Sequence, residues 1–235
     1  MPPQPLSTIF RGQERAVHIH ADAILMRPQH AALVMRVISL WSHADNILAG
    51  LVTSFLDSDF ETVTTMLQAL TSGDGKRAAI NAAAIATLNQ EDLKLYQAVM
   101  KVIKPSRDRR NDFAHHLWGF VEEIDDALLL VDPKYVAMNY AQTKAAIQKF
   151  KTRGLTGDSL YEAISAIQPL DLSKIFFFRK RDLEQDVQDA RTAHKILFEL
   201  SFALSDHIVS AQMRSRLSSL PQIQQALEPP SNKNG

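Results

Sequence analysis

RRNDFAHHLWG, residues 109–119, is the stretch on which the reading of this chain turns. Upstream of it, NQEDLKLYQAVMKVIKPSRD (residues 89–108) has apolar residues at helical spacing and few strand formers. Downstream, FVEEIDDALLLVDP (residues 120–133) has two short apolar runs around acidic residues, the pattern of a β-hairpin. The stretch therefore sits where a helix gives way to a hairpin, with Gly119 at the change. Pro105 is expected to kink or interrupt the helix just before it.

Working outward toward the N-terminus, Pro28 suits the first turn of a long helix. Within that helix Val34, Val37, Trp41, Ala44, Leu48, Leu51 and Phe55 recur at alternating spacings of three and four. Asp57 and Ser58 are candidate caps for a second helix, FETVTTMLQAL; TSGDG breaks it, and KRAAINAAAIATL reads as a third. AVHIHADAI alternates weakly and reads as a short extended piece or a lead-in to helix. Toward the C-terminus, YVAMNYAQTKAAIQKFK returns to helix, and residues 152–178 are less regular. IFFFRKRD sets an apolar cluster beside three basic residues. From about Leu183 a last long helix carries Val187, Ala190, His194, Leu197, Ser201, Leu204 and Ile208 in the three-four pattern. The expectation is an all-α bundle with one small hairpin after the motif. It has an N-terminal arm over residues 1–29, a single helical domain over 30–220 and a disordered tail over 221–235. The motif core spans about 30–150, followed by C-terminal helices over 151–220. Each long stripe is narrow enough either to pack within the chain or to form the seam of a homodimer.

Composition narrows the functional classes. Lysine and arginine total 26 and aspartate and glutamate total 26, so no global field draws the chain to nucleic acid or membrane. Any anion binding must be local. There is no cysteine, which excludes disulfides and thiolate metal sites. The opening MPPQPLSTIFRGQERAVH has no apolar core of a signal peptide, and no run of about 18 apolar residues is present. A cytoplasmic protein with no membrane partner is expected.

On a helix, Asn111 and His115 share a face and Arg107 joins them one turn earlier. Arg110 lies about 60° to the side of Arg107, within reach of its long side chain. A guanidinium matches phosphate oxygens, a neutral imidazole accepts a proton near neutrality, and an amide fixes a tautomer or holds an oxygen. These are parts for cleaving RNA without a metal or other cofactor, the imidazole deprotonating the ribose 2′-hydroxyl and the guanidinium stabilising charge on phosphorus. The alternative is plain: basic residues near a helix C-terminus also answer its dipole. The bare Arg-x4-His spacing recurs at Arg15 and His20, and an Arg-x6-His at Arg36 and His43.

RNDFAH resembles the signature of the HEPN superfamily, an Arg followed by a polar residue with a His four to six positions on. Arg110-Asn111 and Ala114-His115 make it the RNxxAH form. Arg15 and Arg36 lack the following polar residue. The sequence departs from many members at His116, where they have Gly. The resemblance implies a HEPN-like helical bundle that dimerises to bring two motifs into one cleft. It implies a metal-independent endoribonuclease of the kind found in toxin–antitoxin, phage-defence or RNA-processing systems, or else an inactive binding or regulatory relative. An inhibitor or antitoxin protein is a possible partner. Carried over, Arg110 and His115 are the catalytic pair and Asn111 the polar accessory.

Around that set, Asp45 in WSHADN is a candidate to orient Arg110 or His115, Arg107 and His116 are possible accessories, and Lys104 and Arg109 are candidate RNA contacts. Arg179, Lys180 and Arg181 form a second basic run. Glu122, Glu123, Asp125 and Asp126 read as a solvated turn or a patch for a basic partner. His18 and His20 lack a nearby third ligand and read as a surface strand, not a metal pair.

Overall fold

The computed structural model describes residues 4–10, 17–160, 170–205 and 207–228. Arg15 and the tail 229–235 lie outside them. The chain is mostly helical with one small antiparallel sheet. It divides into two compact units. A sheet unit comprises residues 1–35 and 111–185, and a helical unit comprises residues 36–110 and 186–235.

The helical unit is built on helix α1 (Pro28–Phe55) from residue 36 onward, α2 (Phe60–Ala69), α3 (Gly73–Thr87) and α4 (Gln90–His115) as far as Arg110. To these it adds α6 (Lys180–Ala203) from Asp186, α7 (Ser210–Ser219) and α8 (Pro221–Leu227). The helix starts have local causes. Asp59, not Asp57 or Ser58, caps α2: its carboxylate accepts from the Thr62 backbone at 2.8 Å and from the Thr62 hydroxyl at 2.6 Å. Asp57 instead takes the left-handed conformation at φ 47°. Ser72 caps α3 three residues earlier than the KRAA reading implies. Asn89 accepts from the backbones of Glu91 and Asp92, and its amide donates back to Asp92 at 2.7 Å, a reciprocal cap that starts α4.

All seven residues of the α1 stripe are buried within the chain, as are Val187, Ala190 and Leu197 of the α6 stripe. The α1 stripe thus packs within the chain, one of the two expected outcomes; of the α6 stripe, His194 and Ser201 are half-buried, and Leu204 and Ile208 lie beyond the helix end, Ile208 95% exposed. The tail expectation changes as well, because residues 221–227 form a helix and Ile223 is fully buried.

The sheet unit has β1 (Gln4–Pro5), β2 (His18–Ile19), β3 (Leu117–Phe120), β4 (Leu128–Val131) and β5 (Ile175–Phe178) in the order β1-β5-β4-β3-β2, all neighbours antiparallel. A hairpin, β3–β4, forms as expected, but its first strand is Leu117–Phe120, with Gly119 inside it, and not the FVEE run, and the IFFF run and part of the N-terminal arm complete a five-stranded sheet around it. Every residue of β4 is buried, because both faces are covered. Leu129, Val131, Ile175 and Phe177 cluster with Leu6 and Val121 on one face, joined by Tyr135 and Val136 of α5 (Pro133–Thr152). Onto the other face Phe113 packs 5.4 Å from the Phe178 ring and 5.7 Å from Trp118. The end of α4 is thereby anchored on the sheet.

Two contacts pin the β3 edge and the turn after it. Gly119 pairs with Ile19, and a Cβ there would meet the His18 carbonyl oxygen at 2.7 Å. Gly119→Ala should force β2 off β3 and lower stability by about 1–3 kcal/mol, measured by urea denaturation. The turn is held by Arg27, which donates to the carbonyls of Val121 and Ile124, and by His30, whose Nε2 lies 3.5 Å from Asp126 Oδ1.

Burial pushes the pKa of His30 below its ordinary value; Asp126 opposes this, while Arg27 and Lys180 add to it. In the unfolded chain this histidine binds its proton more tightly than in the folded one, so stability falls as pH drops through about 6.5 toward the lowered folded value. His30→Gln should flatten that part of the stability–pH curve, and urea midpoints between pH 5 and 8 that keep the wild-type slope would contradict it.

Candidate functional site

Helix α4 runs without interruption from Gln90 to His115, through Pro105. The expected break does not occur. The proline deprives only one carbonyl, that of Lys101, of its usual donor, and packing of Tyr96, Val99 and Ile103 on the buried face holds the helix together. The hexad RNDFAH therefore lies wholly on helix, ending at its last residue. The boundary between the two units falls between Arg110 and Asn111.

In the helical unit, Arg107 and Arg110 fall on the same face of α4 as Tyr96, Val99 and Ile103, by the 100° step of the helix. Two cations thus continue a core-facing row. Arg110 donates to Asp45 at 3.2 Å, its side chain about one-quarter exposed. Asp45 sits on α1 beside the buried Ala44, and four residues earlier Trp41 donates its indole N–H to Ser106 at 3.1 Å. Burial raises the Asp45 carboxyl above its ordinary pKa, against the opposing pull of Arg110, Lys76 and Arg107. Arg107 lies 3.8 Å from Asp108, which also pairs with Lys104. Arg109 points to α6, with its Nε 3.5 Å from Asp186. Both candidate RNA contacts, Lys104 and Arg109, are thus engaged by carboxylates of the chain.

In the sheet unit the last turn of α4 carries Asn111, Asp112, His115 and the following His116. Asn111 and Asp112 are half-buried and His115 is exposed. The backbone N–H of His116 donates to the Asp112 carbonyl at 2.9 Å, and its Nδ1 lies 3.0 Å from the same oxygen. His116 therefore closes the helix end, a local structural task. Among the described residues the His115 imidazole makes no hydrogen bond or ion pair. His18 stacks on Phe120 at 4.9 Å with its Nε2 3.8 Å from Glu122, and His20 meets the same ring edge-on. Among the described residues no group of three His, Asp or Glu side chains is arranged to hold a metal ion. Nor is any described helix long and apolar enough to cross a membrane.

The sequence reading missed Lys76 and Arg77, whose charges reach Asp45 and Arg107 respectively. Their signal was the adjacent pair directly after the TSGDG break, which was taken only as the start of a helix. Comparison with protein-family models, with curated proteins and with solved structures finds no match for this chain.

The two histidines separate by stability. His116→Ala should cost about 0.3–1 kcal/mol, the usual worth of a cation or cap at a helix C-terminus. His115→Ala should stay within about 0.5 kcal/mol of wild type, as an exposed substitution does. Chemical denaturation of both variants at pH 7 checks the pair, and equal losses would show that His115 is also structural.

Proposed function

We propose that the chain is a metal-independent endoribonuclease of the HEPN type, with Arg110 and His115 as the catalytic pair and Asn111 as the accessory. The observation that carries the reading is that RNDFAH lies on unbroken helix, with the Arg110 guanidinium tethered by Asp45 and the His115 imidazole exposed on the last turn. In this reaction His115 removes the proton of a ribose 2′-hydroxyl, and the 2′-oxygen attacks the adjacent phosphorus. The bond to the 5′-oxygen breaks, and that oxygen leaves with a proton. The products are a 2′,3′-cyclic phosphate and a 5′-hydroxyl end. Arg110 stabilises the charge that develops on the phosphoryl oxygens. Asp45 is a positioning residue: it fixes the fork of Arg110 without touching RNA. A homodimer would supply a second imidazole for the leaving oxygen. Action as a toxin or in phage defence, under an inhibitor protein, belongs to the same reading.

The Arg110–Asp45 ion pair also favours a second reading, a non-catalytic binding module in which the arginine is spent on holding α4 to α1. Activity separates the two. Chelator-treated protein incubated with a mixed RNA pool should yield 2′,3′-cyclic phosphate ends. His115→Ala and Arg110→Lys should each reduce the rate by about 10²–10⁴-fold, the range for loss of a positioned acid–base group, with near-normal melting. His116→Ala should retain most activity. Lysine keeps the charge of Arg110 but loses its bidentate fork, so wild-type turnover in Arg110→Lys would remove the phosphate clamp from the mechanism. Absence of cleavage across pools and conditions would leave the binding module as the function.

A further inference from the structure

The start of α3 and the middle of α4 bring together cations that the cleavage motif does not use. Ser72 caps α3 by accepting from the Gly75 backbone at 2.9 Å, which places Lys76 and Arg77 in the first two turns. Only Leu88 and Asn89 separate α3 from α4, so the two helices run back along each other. The Tyr96 hydroxyl donates to Asn81 Oδ1 at 2.7 Å and locks their register. Burial pushes that hydroxyl up to about 12, which keeps it a donor. Arg77 is one turn from Asn81 on the same face of α3, and Arg107 is three turns from Tyr96 on the same face of α4. From the locked pair both arginines lie in the same direction. Their backbones are offset by about 10 Å along the helices, counted at 1.5 Å per residue, a span that two arginine side chains cover.

The local charges do not balance. Among the described residues, the four cations Lys76, Arg77, Lys104 and Arg107 stand against Asp74, paired to Arg77, Asp108, paired to Lys104 and Arg107, and Asp45, whose charge reaches Lys76 and Arg107. The Arg107 side chain is only 14% exposed, and its buried Nε has no hydrogen-bond partner among the described residues. Burial first, and the like charge of Arg77 second, work against the charge of Arg107. A guanidinium on a core-facing row, with one donor unmet and a second guanidinium close by, costs stability that an apolar side chain would not. A bound anion, met by the guanidinium Nη atoms, bridges the two like charges and offsets the repulsion between them. The planar forks of Arg77 and Arg107 suit the tetrahedral oxygens of a phosphate.

We propose that Lys76, Arg77 and Arg107 form a binding site for a phosphate group, presented by a nucleic-acid strand or by a free nucleotide. The site stands whether or not the chain cleaves RNA. Its test is equilibrium binding to the full chain of two probes that the cleavage chemistry cannot consume. One is a fluorescein-labelled 2′-O-methyl oligoadenylate followed by anisotropy across a salt series; the other is AMP followed by the shift in melting temperature. Binding of the oligonucleotide assigns the strand as source, and stabilisation by AMP without oligonucleotide binding assigns the free nucleotide. In either case Arg77→Gln and Arg107→Met should each weaken binding at least tenfold. For the oligonucleotide, each lost contact should reduce the slope of log affinity against log salt by about 0.7. Arg107→Met should also melt at or above the wild-type temperature, which a purely structural arginine would not permit. If Arg107→Met does not fold, Arg77→Gln, whose side chain is one-third exposed, decides alone. Failure of the wild type to bind either probe, or binding unchanged in Arg77→Gln, overturns the site. A chain that binds through these residues but never cuts RNA keeps this site and loses the ribonuclease reading.

Discussion

A helix that has committed one face to the core cannot place guanidinium groups on that face without supplying counter-charge. Helix α4 does this twice, at Arg107 and Arg110, directly after Tyr96, Val99 and Ile103. The answer for Arg110 is Asp45, on the flank of the α1 stripe. That pair ties the motif's first residue to the same helix whose Trp41 holds Ser106. Asp45 is half exposed, and burial raises its carboxyl against the pull of Arg110, Lys76 and Arg107.

What could be read from the sequence follows from range. The α1 stripe, the proline at its first turn and the end of α4 at the histidine pair all rest on residues within a few positions of each other, and each appears in the structure; the hairpin appears too, shifted so that Gly119 sits inside its first strand. The sheet beyond the hairpin does not. β1 and β2 are two residues long, too short for any alternation, and they exist only because β5 and β3 offer them edges. IFFF carries no period, so its place beside β4 is decided by partners more than 40 residues away. The cap of α2 was misplaced by one or two residues because DSD offers three capping side chains in a row, and only the backbone geometry picks Asp59. Pro105 misled in the opposite way: it weakens a helix locally, but a row of buried neighbours outweighs one lost hydrogen bond.

The candidate site was legible in its identity and not in its surroundings. Arg110, Asn111 and His115 come from one hexad. Asp45, 65 residues upstream, was singled out only as an acidic residue beside an apolar stripe, and its contact with Arg110 is a tertiary fact. Lys76 and Arg77 gave no signal beyond two adjacent cations, which most helices carry on solvated faces. The adjacent histidines divide by the same logic of range. His116 returns to a carbonyl four residues back and finishes the helix, a task visible in local geometry, whereas nothing in the described chain gives His115 a structural one.

The burial of the α1 stripe, and of Val187, Ala190 and Leu197 on α6, also bears on how a composite site would be assembled. With these turned into the chain's own core, a second copy would be met largely by other surface. On the helical unit, the large apolar side chains left exposed include Leu56, Phe60, Met66, Ile85, Phe198 and Ile208, on α2, α3 and α6 and just beyond the ends of α1 and α6. They are scattered along these segments and do not form a heptad row, so a coiled-coil seam is not the geometry they favour. A homodimer of this chain would therefore be a contact of helix flanks and loops. Its strength would come from a few anchors in place of a long zipper, and the shared cleft expected of a HEPN-type pair would depend on where those anchors set the two copies of α4.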